Sequence, residues 1–280
     1  MILINKPTEL HEKIKEERQK GRSIGFVPTM GALHEGHLSL IQVARSNHDL
    51  VVVSIFVNPL QFGEGEDFET YPRDIDRDQE LCRQEAVDIL FAPSVSEMYP
   101  ETASVEIKVV EGVDVLCGQS RPGHFDGVAT VVLKLLHMVW PDAAYFGQKD
   151  AQQVAVIKQM VKTLSMPLSI VASPTVRESD GLAKSSRNVH LTKDERQIAP
   201  KLYQTLLEAK EHASGGANRK ELISFIQKRL ETLTLGRVDY VDVLSYPKLE
   251  QVEELSGTII LALAYHFSHA RLIDNIIIEK

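Results

Sequence analysis

Short apolar runs alternate with helical patterns through the first two thirds of the chain. The runs have strand length and fall at residues 24–27, 50–57, 88–92, 143–146 and 168–172. The clearest helical stripe begins after Gly127, and its apolar members are Val128, Val131, Val132, Leu135, Leu136 and Val139. Pro141 ends this helix, and a further helix follows from about residue 150. Strands that alternate with helices in this way predict an α/β fold with a parallel sheet and flanking helices.

The pattern changes after about residue 189. Two amphipathic helices are predicted at residues 194–213 and 219–233, and strands follow at residues 238–244, 258–265 and 272–278. We therefore expect two domains: residues 1–189 with the parallel sheet, and residues 190–280 as a small C-terminal α+β domain.

Composition limits the classes of function. The 280 residues are 43% hydrophobic and 25% charged, as is ordinary for a soluble globular protein. The net charge of −8 argues against nucleic-acid binding, because such proteins carry a basic surface. Cys82 and Cys117 are far apart, which predicts reduced thiols rather than a disulfide framework or a zinc site. The charged N-terminus and the short apolar runs predict neither a signal peptide nor a membrane span, and therefore a cytoplasmic protein.

The most informative segment, residues 27–37, reads Val-Pro-Thr-Met-Gly-Ala-Leu-His-Glu-Gly-His and joins a buried strand to a helix. Unpaired amides and the positive dipole end of that helix favour a bound phosphate. His34 and His37 lie on one side of the first turn, where both can donate hydrogen bonds to phosphate oxygens. The alternative is that they only cap the helix and pack. A zinc-protease motif is excluded, because these histidines are three residues apart rather than four.

Two further clusters follow strands of the predicted sheet. Asn58 and Gln61 come after the second strand, where their neutral amides suit a carboxylate or hydroxyl group, although turn formation alone would explain Asn58. Residues 146–153 read Phe-Gly-Gln-Lys-Asp-Ala-Gln-Gln. There Lys149 would bind a phosphate, since its charge is unfavourable at a helix N-terminus without an anion, and Asp150 would bind a ribose or cap the helix.

Three polar segments are more ambiguous. Residues 184–188, Lys-Ser-Ser-Arg-Asn, have the composition of a mobile polyphosphate clamp or of a solvated loop. Arg121 and His124 could reach an anion or form a surface turn. Asp76 and Asp78 begin a helix, where stabilisation of the dipole explains them without a metal, and a magnesium contact is the alternative.

Taken together, these motifs closely resemble the pantoate–beta-alanine ligase family of the nucleotidyltransferase superfamily. The shared motifs occupy residues 27–37, 53–62, 71–73, 120–125, 146–153 and 185–188, and the similarity continues to the closing Ala-Arg-Leu-Ile-Asp-Asn at residues 270–275. The resemblance covers essentially the whole chain. It implies a Rossmann-like domain with a small C-terminal domain, a homodimer, and small-molecule substrates without nucleic acid or membrane partners.

The resemblance also implies the reaction and the role of each residue. Pantoate and Mg²⁺-ATP would form pantoyl adenylate and pyrophosphate, and beta-alanine would then displace AMP to give pantothenate, with no covalent enzyme intermediate. His37, His34 and Lys149 would be catalytic, Gln61 and Gln153 would bind pantoate, and Gln61 would also lie near beta-alanine. No metal ligands are assigned. ATP would be bound by Met30, Gly31, Ala32, Leu33, His34, Glu35, Gly36, His37, Gly147, Gln148, Lys149, Asp150, Val176, Ser185, Ser186 and Arg187. We also predict an ATP contact for Lys184, from its charge beside the two serines.

Two segments depart from the family pattern, and two other functions remain open. Lys184 stands where the family commonly has methionine or leucine, and residues 264–269 are atypical. An adenylyltransferase that joins AMP to a phosphorylated substrate would also use the turn with His34 and His37, hereafter the histidine turn. Gln61 and Gln153, however, suit a carboxylate better than a phosphate dianion. A catalytically silent nucleotide-binding module, or a fragment related to class I aminoacyl-tRNA synthetases, is the alternative from another class.

Overall fold

The computed structural model describes all 280 residues, Met1–Lys280. It divides into two compact units, each assembled from segments that are not contiguous in sequence. The first unit comprises Met1–Val109, Pro122–Gln148 and Val156–Pro174, and the second comprises Val110–Arg121, Lys149–Ala155 and Thr175–Lys280. The division into domains at residues 189 and 190 stays a prediction.

Nine strands and ten α-helices form these units. The strands are β1 (Ile2–Ile4), β2 (Ile24–Thr29), β3 (Leu50–Ile55), β4 (Ile89–Phe91), β5 (Ala143–Gly147), β6 (Ser169–Ser173), β7 (Arg237–Ser245), β8 (Thr258–His266) and β9 (Arg271–Glu279). The helices are α1 (Pro7–Gln19), α2 (Glu35–Asn47), α3 (Ile75–Gln84), α4 (Val95–Met98), α5 (Leu116–Ser120), α6 (His124–Val139), α7 (Ala151–Thr163), α8 (Lys193–Ile198), α9 (Lys201–Ser214) and α10 (Arg219–Glu231). Short 3-10 helices lie at Pro59–Gln61, Gln148–Asp150 and Ser186–His190.

The first unit is built on a six-stranded parallel sheet of order β1-β4-β3-β2-β5-β6. This confirms the predicted α/β class with a parallel sheet. From β2 the chain continues to β3 on one side, whereas β5 pairs on the other side, so the strand order reverses between β2 and β5. Ligands of open α/β sheets bind beyond the carboxyl ends of the strands at such a reversal. The histidine turn follows β2, and Gly147 ends β5.

The second unit contains a three-stranded antiparallel sheet with β8 in the centre. Successive side chains of β8 are buried on opposite faces: Leu261 and Leu263 pack with α9 and α10, whereas Ile260 and Ala262 pack with α5 and the first turns of α7. The predicted α+β character of this part is confirmed. The start of α7, which directly follows Lys149 and Asp150, is thereby fixed against the sheet.

The structure corrects the sequence-based elements in two places. The helix predicted at residues 194–213 is two helices, α8 and α9, because Pro200 has no N–H to continue the hydrogen-bond ladder. β1, α1, α4 and α5 were not predicted from the sequence. Cys82 and Cys117 are buried free thiols, as expected. None of the helices combines the length and the apolar character needed to cross a membrane.

Candidate active site

The turn between β2 and α2 requires small residues. Gly31 and Ala32 both have positive φ, 82° and 50°. A Cβ atom at position 31 would lie only 3.0 Å from the Asp78 carboxylate. The Gly31 amide donates to Thr29 Oγ1 over 3.1 Å, which holds the start of the turn. Glycine is therefore needed here both for its backbone conformation and for the close approach of Asp78.

Both histidines of the turn bind backbone amides at the start of α2. His34 is the N-cap residue, and its Nδ1 accepts from the Gly36 amide over 3.1 Å. His37 Nδ1 accepts from the His34 amide over 3.3 Å, and the two ring centroids are 4.1 Å apart. The helix-capping contacts that the sequence offered as an alternative are therefore present in the structure. It also sets the tautomer, because a neutral imidazole that accepts at Nδ1 carries its proton on Nε2. Each Nε2 is therefore a hydrogen-bond donor, and capping is compatible with phosphate binding.

Asp78 holds the same turn from α3. Its side chain is 1% exposed, and its two oxygens accept from the amides of Ala32 and Leu33, both over 2.8 Å. Burial raises the pKa of the Asp78 carboxyl above its ordinary value, and the two backbone hydrogen bonds oppose that rise. Sequence reasoning attributed Asp78 to the helix dipole and missed this contact. The available signal was its position four residues before Cys82, which places an acid on the buried face of α3.

Met30 and Gln61 are brought together in the first unit. Gln61 is 8% exposed, and its Nε2 lies 3.1 Å from Met30 Sδ. His124 Nδ1 donates to the Gln61 carbonyl over 2.8 Å. This nitrogen is therefore used within the protein and does not bind an anion, and His124 does not lie in a plain surface turn. A Cβ at Gly127 would lie 2.1 Å from the Leu60 carbonyl oxygen. Only glycine permits this close packing of α6 against the segment that carries Gln61.

Lys149 and Asp150 precede α7 in the second unit. Lys149 Nζ lies 3.6 Å from Asp150 Oδ1, so the neighbouring carboxylate offsets part of the lysine charge. This weakens the sequence argument that an anion must balance Lys149. The Lys149 carbonyl accepts from Asn275 Nδ2 over 2.9 Å, which ties the turn to β9.

The structure separates the two adjacent glutamines of α7. Gln152 is buried, and its side chain binds three backbone groups over 2.8–2.9 Å, namely the Cys117 amide and the carbonyls of Gly112 and Val115. Gln153 is half-buried. Gln152 therefore has a structural role, and Gln153 is the member of the pair that remains a candidate for substrate binding.

The segment with the ATP contacts predicted at Val176 and at residues 184–187 forms a hairpin in the second unit. The Val176 carbonyl accepts from the Lys184 amide over 2.9 Å, and Lys184 Nζ forms a 2.9 Å ion pair with Glu178. Ser185 Oγ accepts from the Arg187 amide over 3.3 Å and caps the 3-10 helix Ser186–His190. Lys184 is thus already paired with a carboxylate, a contact that the sequence did not predict.

A buried ion pair holds this hairpin to the antiparallel sheet. Arg177 donates two hydrogen bonds, of 2.6 and 2.8 Å, to the carboxylate of Asp274, which is 4% exposed. The Arg177 guanidinium also stacks on the Tyr203 ring, 3.4 Å from its centroid. Paired hydrogen bonds of this kind fix both position and orientation. Asp274 and its neighbour Asn275 thus anchor the two candidate nucleotide-binding segments of the second unit.

The predicted site residues are divided between the two units. The histidine turn, Gln61, Gly147 and Gln148 belong to the first unit. The second unit holds Lys149, Asp150, Gln153, Val176, Lys184, Ser185, Ser186 and Arg187. Their roles stay predictions.

Comparison with known proteins identifies the family. The family model described as pantoate-beta-alanine ligase matches residues 2–277. A pantothenate synthetase of Halalkalibacterium halodurans is 60% identical over 99% of both chains. The crystal structure of pantothenate synthetase from Thermus thermophilus is similar with a TM-score of 0.93, at 44% identity and 99% coverage of both chains. The pantoate-beta-alanine ligase of Francisella tularensis, solved with beta-gamma ATP and beta-alanine, gives a TM-score of 0.81 at 39% identity over 99% of this chain and 97% of that one. The chain therefore belongs to the pantoate-beta-alanine ligase family and is a ligase that forms a carbon–nitrogen bond.

Proposed function

We propose that this ligase condenses pantoate with beta-alanine in an ATP-dependent reaction that passes through pantoyl adenylate. A carboxylate oxygen of pantoate attacks the α-phosphorus of ATP, and the bond to pyrophosphate breaks. The amine of beta-alanine then attacks the acyl carbon, loses a proton and displaces AMP, which leaves with the transferred oxygen. The acyl group is activated as a mixed anhydride, so the chain need not supply a covalent nucleophile.

The histidine turn is the observation that carries this proposal. Phosphoryl transfer depends on positioned donors that stabilise charge on the reacting phosphate. The paired hydrogen bonds at Nδ1 make both His34 Nε2 and His37 Nε2 donors at the start of α2. We assign these two groups to the α-phosphate, where each donates a hydrogen bond and keeps its proton; His37 holds the position that the family resemblance labels the proton donor.

The remaining roles follow the family resemblance and agree with the chemistry of each residue. Gln61 and Gln153 bind pantoate, and Gln61 also lies near beta-alanine. Gly147 and Asp150 bind the ribose, Lys149 binds a phosphate, and Val176 binds adenine through its backbone. The pyrophosphate is held by Ser185, Ser186 and Arg187. Lys184, which departs from the family pattern, adds a contact to the β- or γ-phosphate. Support comes from the Francisella relative, whose structure contains beta-gamma ATP and beta-alanine.

We assign Mg²⁺ to the ATP phosphates rather than to a protein cage. No three His, Cys, Asp or Glu side chains are grouped to hold a metal ion. Both oxygens of Asp78, the acid next to the histidine turn, accept from backbone amides. These residues fit a cation held by phosphate oxygens and water, which is the usual environment of Mg²⁺ in ATP-using enzymes. When bound, the cation would neutralise phosphate charge.

The proposal also includes a homodimer, which sedimentation equilibrium would test.

Isotope transfer tests the adenylate directly. Pantoate labelled with ¹⁸O in its carboxylate should pass one labelled oxygen to AMP, and pantoate alone should support exchange of pyrophosphate into ATP. AMP without label would contradict the adenylate. A stable dinucleotide product, formed without beta-alanine, would instead support the adenylyltransferase alternative.

A further inference from the structure

The amide of Asn58 is buried between four groups that fix its orientation. Asn58 is 1% exposed. Its Oδ1 accepts from Tyr99 Oη over 2.8 Å and from the Leu60 amide over 3.3 Å, whereas Nδ2 donates to the Gly127 carbonyl over 3.1 Å. A backbone amide can only donate and a backbone carbonyl can only accept. The two ends of the Asn58 side chain therefore cannot be exchanged.

This orientation determines the orientation of Gln61. Asn58 Nδ2 also donates to Gln61 Oε1 over 3.2 Å. Because the group that faces Asn58 Nδ2 must be an acceptor, the amino group of Gln61 lies on the other side, 3.1 Å from Met30 Sδ. Gln61 is thus set as a hydrogen-bond donor on the side of the histidine turn. A donor suits a carboxylate or hydroxyl oxygen and is unsuited to an ammonium group.

We propose that Tyr99 is a positioning residue that, through Asn58, holds Gln61 as a donor to an oxygen of pantoate. The inference rests on the proposed pantoate-binding role of Gln61. Tyr99 follows α4 and is half-buried, with its ring 6.0 Å from that of Phe56. Burial raises the pKa of Tyr99 to about 12, so the hydroxyl keeps its proton and donates at neutral pH. Its 2.8 Å bond is the shorter of the two that Asn58 Oδ1 accepts.

Tyr99→Phe tests the contact, because it removes the hydroxyl and keeps the ring. We expect the KM for pantoate to rise about fivefold to tenfold, as for the loss of one buried hydrogen bond, with the KM for ATP and kcat within about twofold. Tyr145→Phe is the matched control. Tyr145 lies on β5 of the same sheet, and its hydroxyl bonds only to His48, over 2.9 Å. Its KM for pantoate should not change. An unchanged KM for pantoate in folded Tyr99→Phe overturns the proposal.

A double-mutant cycle separates positioning from a general loss of stability. Tyr99→Phe should have no further effect on the KM for pantoate in a Gln61→Ala background, because the group being positioned is gone. Equal effects in both backgrounds would show a structural role and refute the inference. Gln61→Ala alone tests the proposed function: if it leaves the KM for pantoate unchanged, the assignment of Gln61 fails, whatever Tyr99→Phe does.

Asn58→Asp gives a second, independent test. The carboxylate has the same shape but no donor, so it loses the hydrogen bond to the Gly127 carbonyl and can bind Gln61 only through the glutamine amino group. Gln61 would then turn its carbonyl oxygen toward Met30. The Gln61 carbonyl oxygen would then face an oxygen of pantoate, and both are acceptors. We therefore expect pantoate binding to weaken by more than about a hundredfold, whereas ATP binding, measured by calorimetry, should be retained. Retained pantoate affinity would contradict the proposed relay.

Discussion

Asp78→Asn should slow adenylate formation far more than it destabilises the fold. Asp78 accepts from the amides of Ala32 and Leu33, both over 2.8 Å, and lies 1% exposed. Asparagine can accept only one of these bonds, and its amino group would face the other donor. Loss of one hydrogen bond to a charged acceptor costs about 1.5–3 kcal/mol.

Two effects of this substitution oppose each other in the stability of the fold. Burial raises the pKa of Asp78, which means that the ionised carboxylate is costly to bury. A neutral amide removes part of that cost, so we expect the free energy of unfolding to fall by only about 1–2 kcal/mol. Catalysis has no such compensation. A shift of the turn by about 1 Å would misplace both histidines and reduce the rate about a hundredfold.

The assay is pantoate-dependent exchange of pyrophosphate into ATP, measured beside urea unfolding of the same variants. Asp76→Asn is the matched control: it is an exposed acid in the first turn of the same helix, and we expect changes within about 0.5 kcal/mol and twofold in rate. A folded Asp78→Asn variant with an exchange rate near that of the wild type would refute the reasoning, because the histidine turn would then keep its geometry without the carboxylate.

Four further predictions concern other residues. His34→Ala and His37→Ala should each slow pyrophosphate exchange by two to three powers of ten in folded protein, and near-normal exchange would remove them from the mechanism. Gln153→Ala should weaken pantoate by about 1–3 kcal/mol and leave ATP binding unchanged, as calorimetry would show. Lys184→Met should weaken ATP binding about twofold to fivefold and reduce its salt dependence. The contrary result is that the variant and the wild type have the same ATP affinity at every salt concentration. For Glu195, burial would raise the pKa, but hydrogen bonds from Ser268 and Thr192 hold it at about 2. Its carboxylate therefore stabilises the fold above about pH 4.5, and this contribution, about 3 kcal/mol, is lost as the pH falls toward 2. Glu195→Gln should flatten the pH dependence of unfolding in that range, and an unchanged slope would contradict the assignment.

The sequence predicted most of the elements that form around long apolar runs. β2, β3 and β5 are buried strands, and α6 has a continuous apolar stripe, so their hydrophobic periodicity is strong. β1 was missed because three residues carry little periodicity, and only the last of them, Ile4, is buried. The helix at residues 194–213 was drawn through Pro200 although proline interrupts the ladder.

The candidate site was predictable where one segment carries the chemistry, and not where distant segments meet. The histidine turn is contiguous, so its strand, glycine and two histidines can be read together. Gln152 and Gln153 are neighbours with the same side chain, and only the fold shows that Gln152 is used by backbone groups near residues 112–117. Lys184 could not be assigned to Glu178 from spacing alone, because the pairing depends on the hairpin closed by the Val176 carbonyl.

The roles of Asp78 and Tyr99 could not be predicted from the sequence, and the reason is the same for both. Each acts on a contiguous motif from more than 35 residues away: Asp78 is 46 positions from Ala32, and Tyr99 is 41 from Asn58. Each satisfies a polar group of a turn that is buried and therefore cannot be satisfied by water. The amides of a tight turn that have no partner within the turn are bonded by the neighbouring element that packs on it. The sequence of the turn alone does not predict which element that is. The positioning of the histidines and of Gln61 is therefore a tertiary property, even though the residues that do the chemistry lie in short motifs.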